Sequence, residues 1–363
     1  MTPNDSSLFL EIAKSLMSVP AAPYHEQAMS KVVKQICSDH KIQLRSTRCG
    51  NLIATVKKGK AGRPMVMAAH MDHPGFDIKK QLGPTQWRAD FLGGVPDRYF
   101  KDSTRLRLQP GNHPALLGER IHAKKKQFAL FSRTAPKLPP THAVWDLKPF
   151  QKKGNIIHGR ACDDLIGLAS ALTTLILLNK SRKAVHAIAL ITRAEEVGFH
   201  GALMETIEKK LPKNPLILSL ETSSEMPPVK QGEGVIIRVG DRSSVFDSQT
   251  TRFLGIIAES LKKKDSGFKY QRALMQGGSC EGTAFQEFGY QTGALCVALG
   301  NYHNCGPEDI VREENIHLHD ALGMVQLLTR AAHDFPKMDS LNGRVTSRLQ
   351  KLRSEAEREF SSR

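Results

Sequence analysis

The stretch Ala187-Ile188-Ala189-Leu190-Ile191-Thr192-Arg193-Ala194-Glu195-Glu196-Val197-Gly198-Phe199 decides how this chain is built. Its first half is a short, continuous apolar run, as expected of a strand buried on both faces. Its second half carries two adjacent carboxylates. Carboxylates avoid buried strands because desolvating them costs free energy. The pair therefore marks a strand end, and it needs partners there, of which a metal ion is a common one. One carboxylate can hold the metal while its neighbour handles a proton. A solvated helix start is the plainer reading of Glu-Glu, and the rest of the chain decides between the two.

The same pattern recurs outward from this point. Pro64 to His70 is another continuously apolar run, closed by His70-Met71-Asp72. In extended chain, residues i and i+2 point the same way, so Asp72 can reach the His70 imidazole, as carboxylates that orient metal-binding histidines do. Leu216 to Glu221 is an apolar strand ending in a carboxylate. Asp163-Asp164 opens the apolar helix that runs to Lys180. One Asp suffices as its cap, so Asp163 is left over and can bridge two cations. His303 follows the apolar run 292–299. In open α/β sheets ligands gather beyond the carboxyl ends of strands, so these five sites can converge.

Strands at 64–70, 185–193, 215–221, 234–239 and 292–299, alternating with helices at 164–180, 199–210, 250–263 and 315–334, give an α/β fold: a mixed, largely parallel sheet with helices on both faces. Two helices, Leu8 to Met17 and His25 to about His40, precede it. Between residues 77 and 156 the texture changes to Pro, Gly and short alternating strands, which reads as a small inserted β domain resembling a barrel. The expected organisation is a main domain of residues 1–76 and 157–340, an insert of residues 77–156 and a charged C-terminal tail, 341–363.

The bulk properties narrow the function. The chain has 363 residues, 40% apolar and 24% charged, which fits a globular protein of two domains. Its net charge is +16, from 52 Lys+Arg against 36 Asp+Glu. The basic clusters, such as Lys124-Lys125-Lys126 and Lys262-Lys263-Lys264, are scattered and not interleaved with aromatics, so no nucleic-acid partner is expected. Attraction of anionic substrates is a further reading of that charge. The six cysteines show no paired spacing and several lie in apolar stretches, as in a reducing cytoplasm. No secretory signal and no membrane span are expected.

His70-Met71-Asp72, Gly159-Arg160-Ala161-Cys162-Asp163-Asp164, Glu195-Glu196-Val197-Gly198, Glu221 and Tyr302-His303 resemble, in order, the motifs of the dinuclear zinc or cobalt aminopeptidases. The nearest resemblance is to the tetrahedral aminopeptidase family, with its glutamyl and deblocking members, and it runs from about Leu8 to Ala331. It implies a zinc-exopeptidase-like fold and an aminopeptidase that removes N-terminal residues from peptides, with two divalent metal ions. One metal is then held by His70, Asp163 and Glu221, the other by Asp163, Glu196 and His303. Glu195 is the general base, Asp72 orients His70, and the Asp163–Asp164 peptide is cis. Peptide substrates, and a homo-oligomer assembled through the insert, are implied too.

The chain departs from the family at several points. Glu221 stands where an Asp is usual, His73-Pro74 where Glu-Ile is, and Asn304-Cys305-Gly306-Pro307 where Ser-Pro follows the histidine. The loop Gly277-Gly278-Ser279-Cys280 also differs. The competing enzyme is an acylamino-acid amidohydrolase or carboxypeptidase with the same metal plan. There the inserted domain lies between the fourth and fifth ligands, whereas here it lies between His70 and Asp163. An inactive basic binding protein would leave the full ligand set without a purpose.

Overall fold

The computed structural model describes residues 2–60, 62–122 and 124–361. Its largest element is an eleven-stranded mixed sheet. Four parallel strands form the centre, in spatial order Val185–Thr192, Met65–His70, Leu216–Ser224 and Gln291–Gly300. All six residues of Met65–His70 are buried. Alternation along that strand explains the two-sided burial. Met65, Met67 and Ala69 join a core with the helices Pro3–Met17, Leu165–Lys180 and Leu318–Asp334. Val66 and Ala68 point the other way, onto Ala202 of the helix His200–Glu208 and Phe285 of Glu281–Glu287. A parallel strand covered by helices on both sides must be apolar at every position, which is why these runs lack a polar alternation.

The remaining strands are antiparallel extensions or side branches. Leu52–Lys58 and Gln43–Ser46 continue one edge. On the other, Glu314–His317 pairs with Gln291–Gly300 and with Ile156–Gly159, and Gln151–Lys153 closes the edge. Val235–Gly240 branches from Gln291–Gly300 and carries Tyr270–Leu274.

A second unit is a closed six-stranded antiparallel barrel, in the order Gly75–Gly83, Gln86–Leu92, Gln127–Phe131, His113–His122, Arg105–Gln109 and His142–Trp145. Strand Gln151–Lys153 falls inside the stretch read as insert, and Ile156–Gly159 begins at its last residue, yet both belong to the large sheet. The barrel is filled by aromatic rings. Phe76 meets Phe91, Phe128 and Trp145 edge-on at centroid distances of 4.9, 6.1 and 5.1 Å, the offset geometry that ring quadrupoles favour. Phe76→Ala removes the ring common to these pairs and is expected to cost about 3–5 kcal/mol. The chain's two tryptophans, Trp87 and Trp145, both lie in this barrel core. Tryptophan fluorescence during urea unfolding therefore reads the barrel selectively, and an unmoved midpoint would count against this packing.

The C-terminal helix Met338–Ser361 is exposed from Val345 onward. Among the described residues no helix is long and apolar enough to cross a membrane. The six cysteines are all unpaired.

Candidate metal centre

The four central strands deliver site residues at the same edge of the sheet. His70 is the last residue of its strand. Glu195 and Glu196 sit in the turn after Val185–Thr192, where Ala194 adopts a left-handed φ of 52°. Glu221 lies inside Leu216–Ser224 rather than at its end, because pairing with Gln291–Gly300 carries that strand on to Ser224. His303 follows Gln291–Gly300 in a turn where Asn301, His303 and Asn304 have φ of 56, 53 and 63°. Three non-glycine residues in left-handed conformation within four positions are strained, and persist only where surrounding bonds fix them. Asp163 precedes the helix Leu165–Lys180, which Asp164 caps by accepting the Gly167 amide at 3.1 Å. The Asp163–Asp164 peptide is cis.

These side chains converge. The Nε2 of His70 lies 3.5 Å from Asp163 Oδ1, and the Nε2 of His303 lies 3.5 Å from Asp163 Oδ2 and 3.1 Å from Glu196 Oε2. Asp163 thus stands between the two imidazoles. His70, Asp163 and Glu221 have donor atoms all within 4.8 Å of one another, and so do Asp163, Glu196 and His303. A third such group joins His70, Glu195 and Glu196. Glu195 Oε2 is 3.9 Å from His70 Nε2.

The donor set fits divalent cations. Asp163 Oδ1, Glu196 Oε1 and Glu221 Oε1 are buried without a hydrogen-bond partner. Buried carboxylate oxygens are ordinarily satisfied, so three orphans in one cluster call for cations. Two imidazoles with carboxylates are ligands of zinc and its neighbours in the first transition row.

Electrostatics agree. Burial pushes the Glu195 and Glu221 carboxyls up, Glu221 to about 8, and neighbouring carboxylates add to both shifts. Burial alone would depress His70 and His303, but Glu195 raises the first and Glu196 the second, with help from Asp163, and both imidazoles end well above their ordinary value. Asp163 is held below the ordinary range despite its burial, by its contacts with His303 and His70. The cluster is an excess of buried negative charge that bound cations would offset.

The outer bonds hold surprises relative to the sequence. The Nδ1 of His70 meets the main-chain carbonyl of Asp72 at 3.0 Å, while the nearest oxygen of the Asp72 carboxylate is 3.8 Å away. That carboxylate instead accepts the amides of Glu195 and Glu196 at 3.0 and 3.2 Å. The Asp72 side chain therefore fixes the paired glutamates, while its main-chain carbonyl meets the histidine. Buried Glu26 accepts the Ala194 amide at 3.0 Å, and Asn51 accepts that of Arg193 at 3.2 Å. Four consecutive amides, 193 to 196, thus end on side-chain oxygens. The Nδ1 of His303 meets the Gly94 carbonyl, on the barrel, at 3.0 Å. Glu314 accepts the amides of Cys162, Asp163 and His303 at 2.7, 3.0 and 2.8 Å.

Sequence reading missed Glu26, Gly94, Glu314 and the buried Glu281, whose carboxyl burial pushes up to about 6. Among these, only Glu314 in Arg312-Glu313-Glu314-Asn315 repeats the paired-glutamate signal, and it reads as solvated. Two of the family departures form one unit. His73 meets the Asp163 carbonyl at 2.9 Å and Asn304 Oδ1 at 3.1 Å.

The cluster floors a cleft of about 330 Å³. Its wall includes Phe199, Met226, Met275, the Gly277-Gly278-Ser279 loop, Tyr302 and two arginines, Arg238 and Arg242, and among the described residues its carboxylates are those of the cluster.

Residues 139–320 match the family described as M42 glutamyl aminopeptidase. Solved structures of similar fold include a TET aminopeptidase from a marine-sediment Thaumarchaeota archaeon (TM-score 0.75, 17% identity, covering 92% of this chain and 98% of that one). An aminopeptidase of the archaeon Desulfurococcus kamchatkensis gives a TM-score of 0.74 at 21% identity, over 91% and 95% of the two chains. The TET1 peptidase of Pyrococcus horikoshii, which can assemble into a tetrahedron or a large octahedral shell, gives 0.73 at 21% identity, over 89% and 99%.

Proposed function

Since the chain belongs to the M42 glutamyl aminopeptidase family, and is thereby a peptide hydrolase, we propose that it is a metal-dependent aminopeptidase whose general base is Glu195. The observation that carries this reading is the pair of ligand triads sharing Asp163. His70, Asp163 and Glu221 would hold one divalent cation, zinc or cobalt, and Asp163, Glu196 and His303 the other. Two cations there would supply Lewis acidity to a carbonyl oxygen and to a water.

The protein's own groups do the rest. Glu195 is left over from both triads and faces the cleft within reach of the same atoms. It takes a proton from the attacking water as the water oxygen bonds the scissile carbon. It returns that proton to the amide nitrogen as the carbon–nitrogen bond breaks, so the amine leaves neutral. Asp72 holds the main chain of the pair, so Glu195 and Glu196 keep distinct directions. Arg238, buried behind Ser223 and the Gly278 carbonyl, and Arg242 make the cleft receptive to an acidic N-terminal side chain.

A panel of aminoacyl chromogenic amides, each with its N-acetylated control, tests the reading with zinc, cobalt and manganese. The expected result is cleavage of free-amine substrates only, abolished by a chelator, with glutamyl amides among the best. Preferential cleavage of the acetylated controls would transfer the protein to the amidohydrolases.

We place the protein in the cytoplasm, in keeping with its six unpaired cysteines. Its assembly is proposed to be a homo-oligomer through the barrel, which exposes Leu82, Ile121, Phe131 and Leu138. Sedimentation of the purified chain as a monomer at micromolar concentration would refute that assembly.

A further inference from the structure

We infer that Glu314 is a positioning residue that sets Asp163 and His303 in register with each other; this rests on the two-metal reading above. Asp163 and His303 come from different parts of the chain, and no strand carries both. The strand Glu314–His317 lies between the strands that lead to each. On one side Glu314 pairs in register with Gly159, four residues before Asp163. On the other, Asn315 pairs with Gly300, three residues before His303. Glu314 is therefore the residue at the fork where the two ligand-bearing segments diverge.

Its side chain spans that fork. Oε2 accepts the amides of Cys162 and Asp163, at 2.7 and 3.0 Å, and Oε1 accepts the amide of His303 at 2.8 Å. The residue is fully buried. A carboxylate offers acceptors only, on two oxygens, which is what three converging N–H groups require. The bond to His303 also explains how that residue keeps a φ of 53°. The His73 and Asn304 side chains brace the same two segments from the far side, the first on the Asp163 carbonyl and the second on the carbonyls of Arg160 and Arg312. The hydrogen bonds of Glu314 all go to main-chain amides and none to a donor atom of either triad, among the described residues. It acts on them through main-chain hydrogen bonds and, across space, through its charge.

Glu314→Gln puts an amide NH₂ where one of the acceptors stood. The oxygen suits the Cys162 and Asp163 amides, which leaves a donor against the His303 N–H. The test is a zinc titration of chelator-stripped protein by calorimetry, beside a melting curve of the metal-free form. Wild type should bind two equivalents. Glu314→Gln should bind at least one of them about 10–100-fold more weakly, the usual cost of losing a group that holds a metal ligand in place. Its metal-free melting temperature should stay within a few degrees of wild type. Glu314→Asp, which keeps the charge but is one methylene shorter, should fall between the two, and it carries the same test if the Gln variant does not fold. Two equivalents bound at wild-type affinity by Glu314→Gln would overturn the inference even if turnover fell. So would a loss of affinity matched by collapse of the metal-free melting temperature. A wild type that binds no zinc would instead refute the two-metal reading itself, leaving the Glu314 bonds unexplained rather than misassigned.

Discussion

Glu195→Gln should keep its metal and lose its chemistry. The substitution preserves shape and leaves the two triads, His70–Asp163–Glu221 and Asp163–Glu196–His303, with all their donor atoms. It also preserves the hydrogen bond that the Glu195 main-chain N–H donates to Asp72, because that donor belongs to the main chain. What disappears is a group able to take a proton from water. General-base catalysis contributes roughly 10²–10⁴-fold, and kcat should fall by about that factor with little change in KM. Elemental analysis should still return the wild-type metal content. The competing assignment has a geometric basis, since Glu195 also forms a triad with His70 and Glu196. If Glu195 were a ligand, the variant would lose metal and its activity would recover with added metal. Activity within a few-fold of wild type would remove the base assignment altogether.

Asp163→Ala should do the opposite and strip the site. Asp163 is the one residue common to both cation triads, with one oxygen toward each imidazole. Its removal takes a ligand from each at once. The electrostatic stabilisation supplied by bound cations is worth several kcal/mol, and at about 1.4 kcal/mol per decade turnover should drop by about 10³-fold or more. Metal content after dialysis should fall below one equivalent. A variant retaining two equivalents would show that Asp163 does not bridge.

The parts of the fold that were legible in sequence are those decided by burial on two faces. Met65–His70 and Val185–Thr192 are apolar at nearly every position because helices cover both sides, and the start of Leu216–Ser224 shares the pattern. The site inherited this legibility: His70, Glu195 and Glu196 stand out as polar groups where apolar runs stop. Legibility failed where pairing, not composition, makes the element. Glu314–His317 reads as the start of the helix that follows, and becomes a strand only through its bonds to residues 156–159 and 299–300. Strand Gln151–Lys153 follows the barrel strands after a short loop, and nothing in its three residues says which sheet it joins. The holders of the site were invisible for a related reason. Glu26, Asp72 and Glu314 bind main-chain amides, most of them more than a hundred residues away, and an amide leaves no mark in sequence.

The two histidines share an arrangement whose effect is genetic as well as chemical. The Nδ1 atoms of His70 and His303 both meet main-chain carbonyls, those of Asp72 and Gly94. A carbonyl belongs to every residue type, so no codon change at 72 or 94 deletes the acceptor. Saturation mutagenesis will register the imidazoles and be blind to what aims them. Position 94 becomes visible only through bulk, since a Cβ there would sit 3.4 Å from His303 Nδ1. The aim of each ring is stored in the path of the chain, and it survives any change of letters at 72 and 94 that leaves that path and its space intact.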